Sequence, residues 1–322
     1  MKEILQIIRE GNDFVVAGHV GPDGDSIGSC FALALALHKM EKNVQVLLEP
    51  YARKFEIIPG KQFLFSGEKD DLQPQIFVAL DCADPTRLGE PNKAIFDRAK
   101  TTICIDHHDT NPGFADYNYI EPTASSASEM VFKVIEQLTT PTSEISAAIY
   151  AGIVSDTGGF RYNATAKSTM ETSARLMEQI SFTDIYNELM HMHRFSAGKA
   201  LGIALANSGR TQDKKVVYAH ITKEMLKEAK ANNADLDGIV EYLMGTRDAK
   251  AAVFVYEKSG EEMVKISMRS QGPNVGAVAK ALGGGGHILA AGATVNGTIP
   301  EITKRVVKMI KREIKIYEKQ QQ

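Results

Sequence analysis

Four short apolar runs constrain this chain most: FVVAGHV (14–20), VQVLLE (44–49), IFVALDC (76–82) and TTICIDHH (101–108). Each is rich in β-branched residues and barely alternates with polar ones, as expected of strands covered on both faces. The segment between the first two, Ser26 to Met40, is rich in Ala and Leu, lacks Pro, and predicts a helix. Further helices are expected at 126–138, 143–154 and 166–180, the last capped by Thr165. Strands alternating with helices predict an α/β fold, with a doubly wound, mostly parallel N-terminal sheet and right-handed crossovers.

A long helical stretch without a strand, FTDIYNELMHMHRFSAGKALGIALAN (182–207), follows and predicts a connector between domains. The strand–helix pattern then restarts with KVVYAHI (215–221), AAVFVYEK, MVKISMRS and HILAAGATV, and closes on a helix at 300–318. Three parts result: a domain over 1–181, a helical connector over 182–207 and a smaller α/β domain over 208–322.

Chemistry collects where the first runs end. The first ends in His19 and leads into GPDGDS, which carries Asp23 and Asp25; the third ends in Asp81; the fourth ends in Asp106, His107 and His108. A helix ends in SDTGGF, which carries Asp156. Ligands of open parallel sheets bind outside the carboxyl ends of the strands, so these distant groups converge there. Alone, each has a structural explanation: a D-x-D after a strand caps a helix, an Asp-His pair forms hydrogen bonds, and glycines make turns. Together, five carboxylates at one edge repel one another unless cations sit among them. A mixed Asp and His donor set without cysteine suits two divalent cations, Mn²⁺ first, with Mg²⁺, Co²⁺ and Fe²⁺ compatible. Cys30, Cys82 and Cys104 lie in apolar runs with no metal-type spacing and are expected to be small buried hydrophobes.

Charge is unevenly placed. Residues 211–322 carry 18 Lys+Arg against 13 Asp+Glu, and residues 1–210 carry 19 against 27. Seven of those 18 lie at 304–319 and predict a solvated helix face. The net charge of −3 argues against binding long duplex nucleic acid, which needs an extended basic surface. No apolar run approaches membrane-span length, and the start, MKEILQIIREGND, has the pattern of an amphipathic helix rather than a secretory signal. A cytoplasmic location is expected.

The motifs H-x-x-x-D-x-D at 19–25, Asp81, D-H-H at 106–108 and S-D-T-G at 155–158 resemble, in order, those of the DHH phosphoesterase superfamily. That superfamily includes RecJ-type exonucleases, family II pyrophosphatases, cyclic-dinucleotide phosphodiesterases and small oligoribonucleases. The resemblance implies one cation held by His19, Asp23 and Asp81 and a second by Asp25, Asp81, His107 and Asp156, with Asp81 bridging. It further implies that His108 faces the substrate phosphate and that Asp106 orients a histidine ring. Asp84 and Asp109 fall outside the pattern and are expected in caps or turns.

The stretch ISMRSQGPNVGAVAKALGGGGHILAAGAT (266–294) resembles the DHHA1 domain, which binds substrate phosphate or base. This implies substrate contacts from Arg269, Ser270, Gly284, Gly285, Gly286 and His287. Successive glycines also let backbone N–H groups approach a phosphate, although such a run can be only a loop. Phe160, Arg161 and Tyr162 offer stacking surfaces for bases, with plain loop packing the alternative. A DHH–DHHA1 pair of this length most resembles the bacterial oligoribonuclease and phosphoadenosine phosphatase group. The expected substrates are short single-stranded oligoribonucleotides and 3′-phosphoadenosine 5′-phosphate. Rival readings are a cyclic-di-AMP or linear dinucleotide phosphodiesterase and a non-catalytic nucleotide sensor. The 182–207 segment offers a surface for a homodimer.

Overall fold

The computed structural model describes residues 1–68, 72–257 and 263–321. The chain divides into two compact units, Met1–Met192 and His193–Gln322.

The first unit runs α1 (Lys2–Glu10), β1 (Asp13–Ala17), α2 (Gly24–Lys39), β2 (Asn43–Leu47), β3 (Ile76–Leu80), α3 (Glu90–Arg98), β4 (Thr101–Asp106) and β5 (Tyr117–Ile120). Helices α4 (Ala127–Ile135), α5 (Ser143–Asp156), α6 (Lys167–Met177) and α7 (Phe182–Met190) complete it. Its sheet is wholly parallel, in the order β2-β1-β3-β4-β5. Both faces are covered, as the unalternating runs predict. Val16, Val78 and Ile105 lie in one core with residues of α2, α4 and α5, while Val15, Phe77 and Ala79 lie in another with Ile95 and Phe96 of α3. Strand order matters for function. The chain leaves β1 for β2 on one side and then crosses to β3 on the other, which opens a crevice at the carboxyl ends of β1 and β3.

Two differences from the sequence expectations have local causes. The strands stop earlier than the apolar runs: His19, Asp81, His107 and His108 all lie just past the last ladder residue. Thr165 does not cap α6. Its Oγ1 is buried without a hydrogen-bond partner, while Thr169 Oγ1 accepts from Ala166 N (3.2 Å).

The second unit comprises α8 (Phe195–Ala206), β6 (Gly209–Arg210), β7 (Val216–Ile221), α9 (Lys223–Ala229), α10 (Ile239–Met244), β8 (Ala251–Glu257) and β9 (Val264–Ser270). It ends with α11 (Val275–Ala281), β10 (Gly285–Gly286), β11 (Ala290–Val295) and α12 (Ile299–Gln320). Its mixed sheet has the order β10-β11-β9-β8-β7-β6, with β7 and β8 the one parallel pair among the described residues. Lys258, at the end of AAVFVYEK, lies outside the described residues.

The 182–207 stretch is two helices rather than one. Ile185 and Leu189 of α7 bury into the first unit's core, whereas Ala200 and Ala204 of α8 bury beside Leu226 of α9 in the second. Each half follows its own apolar contacts. Among the described residues no helix is long and apolar enough to cross a membrane, and all three cysteines are free and buried.

Candidate metal centre

The residues just after β1, β3 and β4 and at the end of α5 meet at the crevice. His19 Nε2 lies 3.7 Å from Asp23 Oδ1 and 3.5 Å from Asp81 Oδ2. His107 Nε2 lies 3.5 Å from Asp81 Oδ1 and 3.6 Å from Asp156 Oδ2. One oxygen of Asp81 therefore faces each group, as a bridging carboxylate would. Three sets, His19–Asp23–Asp81, Asp25–His107–Asp156 and Asp81–His107–His108, each bring their donor atoms within 4.8 Å of one another. Donors about 2.1 Å from a shared ion stand roughly 3 Å apart. The observed spacing is what a small contraction around a divalent cation would close. The residues present fit a pair of such ions.

Local structure aims each side chain. Asp23 caps α2, accepting from Asp25 N (3.0 Å) and Ser26 N (3.1 Å) through Oδ1. The capping explanation for D-x-D thus holds for Asp23 alongside its place in the cluster. Asp25 is 1% exposed and is gripped from across the unit: its Oδ2 accepts from Ala127 N (2.7 Å) and its Oδ1 from Ser128 N (2.8 Å). Those amides open α4, where unpaired N–H groups and the helix dipole favour a carboxylate. Asp81 follows β3 with φ of 57°, a left-handed conformation that Asp tolerates better than most residues.

The histidine tautomers follow from what each Nδ1 meets. His19 Nδ1 lies 3.0 Å from Val20 O, which can only accept, so the neutral ring keeps its proton on Nδ1 and leaves Nε2, between Asp23 and Asp81, as the atom able to take a cation. His108 Nδ1 donates to Asp106 Oδ1 (2.6 Å). It also stands 3.8 Å from Asp81 Oδ1, but the bond to Asp106 occupies it, so His108 is not a ligand through that atom. The His108 side chain is 41% exposed. Asp106 is fully buried and also accepts from His107 N (2.9 Å) and from Asn111 Nδ2 (2.7 Å). Asp84 caps a 3-10 turn at Pro85–Leu88 through Thr86 N (2.8 Å), outside the cluster.

The electrostatics describe competition for protons. Burial lifts the Asp25 carboxyl well above the usual carboxylate range, and the charges of Asp81 and Asp156 add to the effect. Burial likewise leads the rise of Asp156 to about 6, with His107 opposing it. Burial opposes charge on His19 and His107, yet the carboxylates around them outweigh it and raise both to about 10. Protons and divalent cations compete for these lone pairs, so metal uptake releases protons.

Two residues that the motif pattern missed support the cluster. Asn111 ties Asp106 to Cys82 O (2.9 Å). Arg87 places Nη2 3.3 Å from His19 Nδ1; because both are donors in the ligand tautomer, it supplies charge rather than a hydrogen bond. Both act through loop closure, which leaves no spacing signal.

Close helix packing also shapes the site. A Cβ on Gly28 of α2 would lie 2.5 Å from Ala148 O of α5, and one on Gly152 of α5 would lie 2.9 Å from Asp25 Oδ1 and closer still to Ser128. Gly152→Ala gains about 1 kcal/mol of helix propensity but overpacks at a cost of about 1–3 kcal/mol. We expect a lower melting temperature together with weaker divalent-ion binding by titration calorimetry; unchanged ion binding would show that the contact does not hold Asp25.

In the second unit the predicted phosphate residues fall at one end of the sheet. Arg269 of β9 pairs with Ala290 of β11, three residues after His287. Its Nη2 is 2.6 Å from Glu241 Oε1, and both side chains are partly exposed. His287 is exposed. Ser270 is buried and its Oγ donates to Pro273 O (2.6 Å), which commits it to the turn. Gly283 N and Gly284 N donate to Lys280 O and Ala279 O of α11, and His287 N to Ala290 O. Two of the glycine N–H groups expected to cradle a phosphate are therefore already used, and so is the N–H of His287. A Cβ on Gly284 or Gly286 would collide with the β11 backbone, while Gly285 is open. The run first satisfies a tight hairpin, leaving Arg269 and His287 as the side chains able to meet an anion. Of the stacking candidates, Phe160 packs against Tyr150 and Tyr162 stays 55% exposed.

The comparisons agree with this geometry. The sequence matches the DHH family, N-terminal domain, over residues 13–153 and the DHHA1 domain over residues 213–315. It is 32% identical over 319 residues to the bifunctional oligoribonuclease and PAP phosphatase NrnA of Thermus thermophilus, covering 97% of this chain and 93% of that one. It is 25% identical over 335 residues to the cyclic-di-AMP phosphodiesterase PdeA of Listeria monocytogenes, covering 95% of this chain and 48% of that one. An exopolyphosphatase-related protein from Bacteroides fragilis shares the fold with a TM-score of 0.86 and 26% identity, covering 98% of this chain and 95% of that one. Motifs, strand order and full-length similarity converge, and the chain belongs to the DHH family, with a DHHA1 domain following the DHH domain.

Proposed function

We propose that this chain hydrolyses short single-stranded oligoribonucleotides to mononucleotides and removes the 3′-phosphate of 3′-phosphoadenosine 5′-phosphate, using two divalent cations, Mn²⁺ first. As a DHH-family member it is a phosphoester hydrolase. The observation that carries the metal reading is Asp81, whose two oxygens face separate donor groups containing His19 and His107. The full-length similarity to the Thermus thermophilus oligoribonuclease and PAP phosphatase supports the substrate class.

A pair of divalent cations held by His19, Asp23, Asp25, Asp81, His107 and Asp156 would supply a hydroxide nucleophile at neutral pH and offset charge on the phosphoryl oxygens. The chain's own residues do the rest. Asp106 holds the proton of His108 on Nδ1, so an imidazolium His108 can donate its Nε2 proton to the leaving oxygen. The grip of α4 on Asp25 and the cap formed by Asp23 keep the carboxylates from rotating during attack. Arg269 and His287 bind a terminal phosphate, with Arg269 exchanging Glu241 for it.

The test is a panel of 5′-labelled di- to pentaribonucleotides, phosphoadenosine phosphate and cyclic-di-AMP with Mn²⁺. Linear dinucleotides and phosphoadenosine phosphate are expected to turn over at least about 10²-fold faster than the cyclic compound. No turnover of linear dinucleotides would sink the reading. Preference for cyclic-di-AMP would favour the second one, which the similarity to the Listeria phosphodiesterase supports. Arg269→Ala is expected to raise KM for dinucleotides by about 10-fold with little change in kcat, the loss of one charge-assisted phosphate contact; an unchanged KM would remove Arg269 from the site.

A further inference from the structure

The basic residues of α12 do more than face solvent. Five of the seven between 304 and 319 line a single groove of about 810 Å³ on the second unit, beside β7. Those five are Lys304, Lys308, Lys311, Arg312 and Lys315; Arg305 and Lys319 lie outside it. Lys311 pairs with Asp213 at 3.2 Å, and Glu318 is taken by Lys215 at 2.5 Å. Among the described residues the other four groove cations have no carboxylate within ion-pairing reach. Four uncompensated positive charges along one rim repel each other and attract a polyanion.

The floor differs in character. Ile299, Val307 and the half-buried ring of Tyr218 make it largely apolar, and His220 stands beside them. Thr303 also lines the groove, and its buried Oγ1 has no hydrogen-bond partner. An apolar, aromatic floor under a cationic rim matches a ligand that carries flat apolar rings on a chain of negative charges. From Lys304 to Lys315 the helix rises about 16 Å, longer than a single nucleotide needs.

We infer that this groove binds a short single-stranded oligonucleotide, its phosphates along the α12 rim and a base on Tyr218. The site shares no residue with the metal centre or with the Arg269–His287 face. It is a second nucleic-acid contact that concentrates strands on the protein, and its occupancy can be read without turnover.

The test uses the full chain carrying Asp81→Asn, so that no strand is cut, and fluorescence anisotropy with a labelled RNA heptamer and its DNA counterpart. Lys308→Glu with Arg312→Glu should weaken RNA binding at least about 10-fold and flatten the salt dependence by about 1.4, at roughly 0.7 per phosphate contact. Arg305→Glu with Lys319→Glu makes the same charge change on the same helix outside the groove, and should cost less than about threefold. Tyr218→Leu should weaken binding about 10-fold with the salt slope unchanged, as expected of lost stacking. Equal binding of the DNA heptamer supports recognition of backbone and base faces; an absence of DNA binding with RNA bound supports readout of the 2′-hydroxyl at the same groove.

Equal losses in the two charge pairs, or full affinity in the groove pair, would overturn the inference. So would groove-dependent cosedimentation with phosphatidylserine vesicles while oligonucleotide affinity holds. Should the groove pair melt early, the neutral changes Lys308→Gln and Arg312→Gln replace it, with a smaller loss in the same direction. Failure here leaves the turnover panel untouched, so the two readings fail separately.

Discussion

Asp81→Asn should lose about 10³-fold or more of turnover while the chain stays folded. One oxygen of Asp81 faces His19 and the other faces His107, so a single substitution disables both donor groups. The loss is sized by metal-derived stabilisation of several kcal/mol, at about 1.4 kcal/mol per decade of rate. Asn is the informative replacement because the position has φ of 57°, which Asn also accepts. Asp81 repels the Asp25 and Asp156 carboxylates but attracts the His19 and His107 rings, so its neutralisation removes contributions of opposite sign. In chelator the variant should melt close to the parent. Single-turnover rates, metal content by elemental analysis and a thermal melt in chelator check the three parts; parental turnover would refute the bridging assignment.

The second large effect separates the two adjacent histidines. His108→Ala is expected to lower kcat by about 10²–10⁴-fold, the range for losing a positioned proton donor. Bound metal should be unchanged, because Asp106 holds His108 Nδ1 even though that ring stands beside Asp81 and His107. His107→Ala should instead reduce metal content, since its Nε2 lies between Asp81 and Asp156. Equal metal loss in both variants would show that His108 is a ligand and that the Asp106 bond rearranges on metal uptake.

Much of the first unit was legible in the sequence because parallel strands covered on both faces are apolar throughout. Val15 and Val16 point to opposite cores, and both must be apolar. The strand β5 escaped notice for the converse reason: it is four residues at a sheet edge, half exposed, with Asn118 in its middle. The split of 182–207 into α7 and α8 was equally hidden, because each helix buries against a different core and the sequence shows only a continuous helical stretch. In the second unit the glycine run was visible as a run, but not its use. Which N–H groups are free depends on α11 ending beside the hairpin, so that Ala279 O and Lys280 O take two of them.

The sequence by itself determined the alternation of strands and helices, the residue types at the strand ends and the candidate ligands His19, Asp23, Asp25, Asp81, His107 and Asp156. The first two follow from period and from adjacency to a strand terminus, which are properties of neighbours along the chain; the ligand set is what the resemblance to the DHH motifs implies. Tertiary structure alone decided how those groups are held. Asp25 meets the amides of Ala127 and Ser128 across more than a hundred residues, and Asn111 reaches back to Cys82 and Asp106. It also decided that Asp81 divides its oxygens between two histidines, and that the exposed basic face of α12 borders a groove with an aromatic floor. A sequence states which donors and charges exist; only their distances determine which are already paired and which remain for a ligand.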